Sequence, residues 1–188
     1  MPSVHAVVLT QNDGPFLLIP RHIRLEHDDH FAAQVIALDF GEPAKWRALS
    51  DVLRENGIAA GRIAIETNFL SQKSVAALKE IVKGELVAAE PLMQRATAVK
   101  FPDEIALLRE SARLVDIGVA AAIDACRVGV TELDVAAAAS AAMLRGGAEF
   151  INHMTVRSGP HATGNHPFPT HRKLSDGDCV QIDIGCVY

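Results

Sequence analysis

The feature that most constrains the fold is a helical periodicity that runs through residues 102–126. Pro102 stands in the first turn, the position that proline favours in a helix, and Asp103 and Glu104 complement the positive end of the helix dipole. The pattern predicts a long amphipathic helix whose apolar face packs against other elements. That face is formed by Ile105, Leu108, Ala112, Val115, Val119 and Ile123.

A second, alanine-rich helix is predicted directly after the first, ending at Gly146-Gly147. Its start, Thr131-Glu132-Leu133-Asp134, resembles a capping box, in which a threonine and an acidic residue three positions later bind each other's backbone N–H groups. Apolar patterns at 151–158 and 178–188 predict two strands. The residues between them, 159–169 above all, hold prolines and glycines that predict a loop.

Residues 1–95 alternate between strand-like and helix-like patterns, which is typical of an α/β layer with some parallel strands. A turn cluster at 11–15 separates the first two strands and predicts a hairpin. Residues 94–100 are predicted to be a connection into a second unit. The predicted strands are 3–10, 16–19, 62–66 and 85–89, with a further apolar run at 34–40, and the predicted helices are 43–56 and 71–83.

Composition and charge exclude several classes of protein. The 188 residues are 49% hydrophobic and 22% charged, the balance of a globular chain, and no apolar run is long enough for a membrane-spanning helix. The net charge of −5 comes from interspersed charges without a basic stripe, so neither a nucleic-acid nor a membrane partner is expected. Three cysteines without a CxxC pair argue against a disulfide framework or zinc ribbon, and with no secretory pattern at the N-terminus they favour a cytoplasmic setting.

Candidate chemical groups cluster late in the sequence. Of the histidines at 153, 161, 166 and 171, any one taken alone is expected to lie on the surface or in a satisfied core position. His166 differs because prolines flank it in Gly164-Asn165-His166-Pro167-Phe168-Pro169-Thr170 and stiffen its loop. In the N-terminal half, Glu26-His27-Asp28-Asp29-His30 looks like a metal cluster, but it follows a proline in a polar loop and is predicted to be solvated surface.

Asp183 is the second candidate, because it places one carboxylate inside the apolar strand 180–185. A buried carboxylate is costly, so it requires a metal, a cation or several hydrogen-bond donors. The alternative is an aspartate at a strand end that binds backbone amides. A carboxylate that faces solvent would count against the metal and against the enzymatic interpretation that depends on it.

Several short motifs follow one another in order along residues 99–188. They are Val99-Lys100-Phe101-Pro102-Asp103-Glu104-Ile105, Gly129-Val130-Thr131-Glu132, Ser158-Gly159, His166-Pro167, Pro169-Thr170, Leu174-Ser175-Asp176-Gly177-Asp178 and Ile182-Asp183-Ile184-Gly185-Cys186-Val187-Tyr188. Together they resemble the opening of the pita-bread metallopeptidase domain that aminopeptidase P, prolidase, methionine aminopeptidase and creatinase share. Residues 1–95 resemble, by position and by the strand at 61–66, the smaller creatinase-type N-terminal domain. The expected fold class is therefore α/β, a small creatinase-type N-terminal α/β domain followed by the first part of an α+β pita-bread domain.

The resemblance implies a site with two divalent metal ions, manganese first and cobalt, zinc or iron as alternatives, held by two Asp, one His and two Glu. Asp183 matches the first of these aspartates. His166 matches the histidine beside the substrate, which donates to the peptide or to the tetrahedral intermediate. The expected partner is a small peptide or small-molecule substrate, and a homodimer is left open.

The sequence also departs from the family pattern. Only five residues follow Asp183, and the family's second Asp, its later His and both Glu lie beyond that point. The chain is therefore expected to be a piece of a longer Xaa-Pro aminopeptidase-like or prolidase-like hydrolase and to be inactive alone. The alternatives are a creatinase-like or other small-molecule C–N hydrolase of the same fold, and a non-enzymatic binding module; a retained Asp183 favours a metal-dependent parent.

Overall fold

The computed structural model describes residues 6–10, 15–20, 34–38, 42–164 and 168–188. Contacts divide the chain into two compact units, Met1–Ala98 (unit 1) and Val99–Tyr188 (unit 2). Within the described ranges, no helix combines the length and the apolar character needed to cross a bilayer.

Unit 1 alternates strands and helices. Its first three strands form one sheet, in which the first pair is antiparallel and the second pair parallel, and a second, two-stranded sheet is parallel. The predicted mixture of pairings and the two hairpin strands are confirmed, whereas turn residues 11–14 lie outside the described ranges. The elements are β1 (Ala6–Val8), β2 (Phe16–Pro20), β3 (Gln34–Leu38), α1 (Glu42–Glu55), β4 (Arg62–Ile65), α2 (Gln72–Ile81), β5 (Glu85–Ala88) and α3 (Glu90–Ala98).

Helix α3 corrects the sequence analysis, which predicted a connection at 94–100. The helix has no buried residue, so it shows none of the apolar periodicity that reveals a packed helix. Its start is fixed by a contact from outside the helix. Glu90 Oε1 accepts hydrogen bonds from the Thr67 hydroxyl at 2.7 Å and from the Asn68 backbone N–H at 2.9 Å.

Unit 2 is a two-stranded antiparallel sheet with two helices on one face. Its elements are α4 (Pro102–Ala125), α5 (Glu132–Arg145), β6 (Phe150–Ser158) and β7 (Val180–Val187), as predicted within two residues or so at each end. The capping box is confirmed, because Asp134 N–H donates to Thr131 Oγ1 at 3.1 Å and Thr131 N–H donates to Asp134 Oδ2 at 3.1 Å. The core between helices and sheet includes Leu114, Ala122, Val135, Ala139, Met143 and Val156.

Alternation along β7 decides which residues meet the helices. Val180, Ile182 and Ile184 pack into the core with the helices, so their neighbours in the strand project from the opposite face. Asp183 stands on that opposite face, directly across from Thr155 of β6. One face of β7 thus packs into the core, and the opposite face is polar and holds the candidate site residue Asp183.

Candidate functional site

The face of the β6–β7 sheet that points away from α4 and α5 is called here the open face. Its members are His153, Thr155, Arg157, Gln181 and Asp183. His153 Nε2 lies 3.2 Å from Asp183 Oδ2, and the Thr155 hydroxyl lies 3.5 Å from the same nitrogen. The open face therefore brings an imidazole, a hydroxyl and a carboxylate together.

The prediction that Asp183 is a buried carboxylate is wrong. Its side chain is 64% exposed, because antiparallel strands alternate and the apolar neighbours of Asp183 take the helix-facing positions. It does not sit at a strand end either. The cost of burial therefore gives no argument for a metal at Asp183, and a metal ligand at this position stays a prediction that rests on the family resemblance.

The other predicted site residue, His166, lies outside the described residues, as does the Glu26–His30 cluster. The structure does describe both ends of the connecting segment (residues 159–169) in which His166 stands. Ser158 ends β6 on one side, and Thr170 begins the return toward β7 on the other. Both ends are held by one buried side chain.

That side chain is Glu132, the first residue of α5, which is fully buried. One carboxylate oxygen accepts the Ser158 backbone N–H and hydroxyl, both at 2.8 Å. The other oxygen accepts the Thr170 backbone N–H at 3.0 Å and its hydroxyl at 2.7 Å. His161 Nδ1 lies 3.2 Å from the carboxylate. Glu132 thus ties together the two ends of the connecting segment.

The hydrogen bonds of Glu132 to Ser158 and Thr170 are called here the clamp. A second group of charged side chains surrounds it. Arg172 donates to the Ser158 hydroxyl at 2.5 Å and makes a two-pronged ion pair with Asp178 at 2.7 and 3.1 Å. The Arg172 hydrogen bonds lower the pKa of the Asp178 carboxyl. Gly159 is required beside this pair: its φ is +51°, and a Cβ there would lie 2.5 Å from Arg172 Nη2 and from Asp178 Oδ1.

The electrostatics of Glu132 follow from this arrangement. Burial by itself raises the pKa of a carboxyl, but the hydrogen bonds from Thr170, Ser158 and His161 outweigh it and lower the Glu132 pKa from 4.5 to about 2. The carboxylate is therefore ionised at neutral pH although it is buried. A buried charge with this many donors organises the chain around it.

The sequence pattern does not predict that Glu132 or His153 belongs to the site. Glu132 stands in the capping-box segment and in a family motif, and Ser158-Gly159 and Thr170, which it joins in the structure, belong to the same set of motifs. His153 is one of four histidines late in the sequence. No local pattern marks it, because its partner lies 30 residues further along the chain.

Within the described part of the chain, no group of three or more His, Cys, Asp or Glu side chains lies together as a metal cluster. His153 and Asp183 nevertheless offer one nitrogen and one oxygen donor on an accessible face. Imidazole and carboxylate suit manganese, cobalt, iron and zinc ions. The donor set present thus fits part of a divalent metal site.

Comparison with known proteins finds similarity to one family of metallopeptidases. The model of metallopeptidase family M24 matches residues 106–188. Creatinase of Bacillus sp. (strain B-0618) is 29% identical over 161 residues, which cover 81% of this chain and 39% of creatinase.

Solved structures show the same fold. An X-Pro aminopeptidase from Thermotoga maritima MSB8 matches with a TM-score of 0.80 at 18% identity over 97% of this chain and 51% of that one. A Xaa-Pro dipeptidase from Bacillus anthracis matches with a TM-score of 0.80 at 21% identity over 96% and 50% of the two chains. The chain spans about two fifths of creatinase and about half of these two proteins. Its fold is the α/β pita-bread arrangement of these solved proteins, and its residues 106–188 match the model of metallopeptidase family M24.

Proposed function

We propose that this chain is part of a metal-dependent hydrolase that cleaves small peptides next to proline, of the Xaa-Pro dipeptidase or aminopeptidase type. The observation that carries the proposal is the M24 match over 106–188, which includes Asp183 and most of unit 2. The two solved proteins of matching fold are named for activity on Xaa-Pro substrates, which supports the same substrate class. Unit 1 is proposed to be a creatinase-type N-terminal domain, and the whole protein to be cytoplasmic.

Each candidate residue has a distinct part in this proposal. Asp183 would hold one of two divalent ions, with manganese the first candidate. When bound, such ions activate water and polarise a scissile carbonyl. His166 would donate a hydrogen bond to the substrate where negative charge develops. Glu132 would fix Ser158 and Thr170, the two residues that flank the segment carrying His166.

A creatinase-like activity on a small guanidino compound is the second candidate. The 29% identity to creatinase over 81% of this chain favours it. The presence of Asp183 favours the peptidase, because the resemblance implies that creatinase has another residue in place of the matching metal-binding aspartate. The two activities differ in substrate and in metal dependence, so one assay separates them.

We also propose that residues 1–188 alone do not turn over a peptide. Of the ligands that the family resemblance implies, only Asp183 is matched here. One carboxylate with one imidazole beside it cannot bind two divalent metal ions tightly. The remaining ligands would come from sequence that this chain does not include.

The test compares this chain with the product of the whole reading frame in which it lies. The whole product is expected to hydrolyse an Xaa-Pro dipeptide with added Mn²⁺, to leave creatine intact, and to lose activity in Asp183→Asn but not in His171→Gln, a change at an exposed histidine. Creatine hydrolysis without dipeptide hydrolysis would establish the second candidate. Failure on both substrates with Mn²⁺, Co²⁺ and Zn²⁺ would refute the hydrolase proposal, and dipeptide turnover by residues 1–188 alone would refute the proposed inactivity.

A further inference from the structure

We propose that His153 is a metal ligand, so that His153 and Asp183 together bind one divalent ion on the open face. The inference rests on the proposed function, in which Asp183 holds a metal, and adds His153, which is not among the ligands that the family resemblance implies. Three features of unit 2 support it: the separation of the two donor atoms, a bulge in β6, and the access and charge of the open face.

The first support is the distance between the donors. His153 Nε2 and Asp183 Oδ2 are 3.2 Å apart. Two ligand atoms that each lie about 2.1 Å from one ion are separated by about 3.0 Å at an octahedral angle and about 3.4 Å at a tetrahedral angle. The observed separation falls between these values and is therefore compatible with both atoms binding one ion.

The second support is a bulge in β6. The register pairs Ile151 with Cys186 and then His153 with Gly185, so one extra residue, Asn152, is inserted between them. Ile151 packs into the core, and in a regular strand His153 would share its face. The bulge instead turns His153 to the open face beside Asp183, which is how bulges re-aim side chains next to functional sites.

Gly185 of β7 lies opposite this bulge, paired with His153. A Cβ at position 185 would lie 2.9 Å from Asn152 Oδ1 and 3.5 Å from His153 Cβ. A larger residue at this position would make the Asn152 carboxamide turn aside, while its contact with His153 Cβ would be an ordinary one.

The third support is access and charge. The side chains of His153 and Asp183 are 53% and 64% exposed, so an ion reaches both without any opening of the fold. Arg157, the cation on the same face, donates from Nη1 to the Gly164 carbonyl at 3.0 Å and is directed toward the connecting segment. Imidazole with carboxylate favours zinc, cobalt and manganese over magnesium and calcium.

The experiment is a titration of the full 188-residue chain with Zn²⁺ and with Co²⁺, followed by calorimetry and by NMR of the histidine rings. It is done in a His27→Gln/His30→Gln background, which removes the histidines of the N-terminal acidic cluster as competing ligands. Asp183→Asn, His153→Gln and His171→Gln are compared, the last being the matched exposed histidine. Circular dichroism confirms that each variant is folded.

His153→Gln is expected to weaken ion binding at least tenfold, since even groups that only support a ligand alter affinity by about 10- to 100-fold. His171→Gln is expected to change it less than twofold, and the His153 ring signals are expected to shift first. Binding that survives His153→Gln but not Asp183→Asn overturns this inference and leaves the metal role of Asp183 intact. Binding unaffected by Asp183→Asn, or no binding at millimolar ion, overturns both. Equal losses in His153→Gln and His171→Gln show unspecific histidine binding and also overturn it.

Discussion

Replacing Glu132 by Gln tests whether the buried carboxylate holds unit 2 together. The substitution keeps the volume and the planar end of the side chain but removes its charge. The carboxamide oxygen can still accept from one end of the connecting segment. Its NH₂ group then faces the donors of the other end, and either the Ser158 or the Thr170 backbone N–H is left without an acceptor.

Two independent considerations give the free energy of unfolding that Glu132→Gln should lose. One buried unpaired N–H costs about 1–3 kcal/mol, and the loss of charge assistance in the remaining hydrogen bonds costs about 1 kcal/mol more, which together give about 3 kcal/mol. Independently, lowering the Glu132 pKa from 4.5 to about 2 corresponds to about 3 kcal/mol in favour of the ionised, folded form. We expect Glu132→Gln to reduce the free energy of unfolding of unit 2 by about that amount.

Amide hydrogen exchange of the full chain measures this loss where it arises. The Ser158 and Thr170 amides should exchange about 100-fold faster in Glu132→Gln, which is the rate change that about 3 kcal/mol produces. Glu149→Gln, at an exposed glutamate of the same unit, is the matched control and should leave both rates unchanged. A loss under 1 kcal/mol, or unchanged protection at both amides, would show that the clamp does not stabilise the unit and would refute the reasoning.

Three further predictions concern the same unit. Because the Glu132 pKa is lowered by folding, its contribution is complete above pH about 5 and is lost as the pH falls toward 2, so urea titrations should show wild type and Glu132→Gln converging over that range. Gly159→Ala should destabilise unit 2 by about 2–3 kcal/mol, measured in urea, because φ is positive there and the new Cβ meets the Arg172–Asp178 pair. Gly118→Ala should lower its melting temperature through overpacking of about 1–3 kcal/mol, since the added Cβ would lie 2.7 Å from Met143 Cγ.

The helices and strands of unit 2 can be predicted because each has a pattern in its own residues. These patterns are the helical periodicity of 102–126, the capping box at Thr131 and the two apolar runs. Helix α3 has no such local signal, because its residues are exposed and its start depends on Thr67, more than 20 residues earlier. Local sequence patterns predict helices and strands, but they fail where a tertiary contact determines where a helix begins.

The candidate site was harder to predict because its contacts join residues that are distant in sequence. Strand 180–187 has an apolar pattern on one face only, and its pattern alone does not tell whether the interposed Asp183 is covered. The bulge at Asn152 is invisible for a similar reason, since it is defined by the register with β7 and not by any turn residue in β6. One shift of register moves a side chain from one face to the other, so the pairing of His153 with Asp183 could not be inferred.

Glu132 shows how a residue can serve local and distant structure at once. Its position in the first turn of α5 places a negative charge at the positive end of the helix. Its backbone N–H also donates to the Arg172 carbonyl at 3.0 Å, so the return from the connecting segment docks on the start of the same helix. A carboxylate there meets Ser158 and Thr170 together, and no other side chain offers two ionised acceptors of that reach from that position. Aspartate at 132 should therefore fail to restore what Glu132→Gln loses, because its side chain is one methylene shorter and cannot reach both ends of the segment.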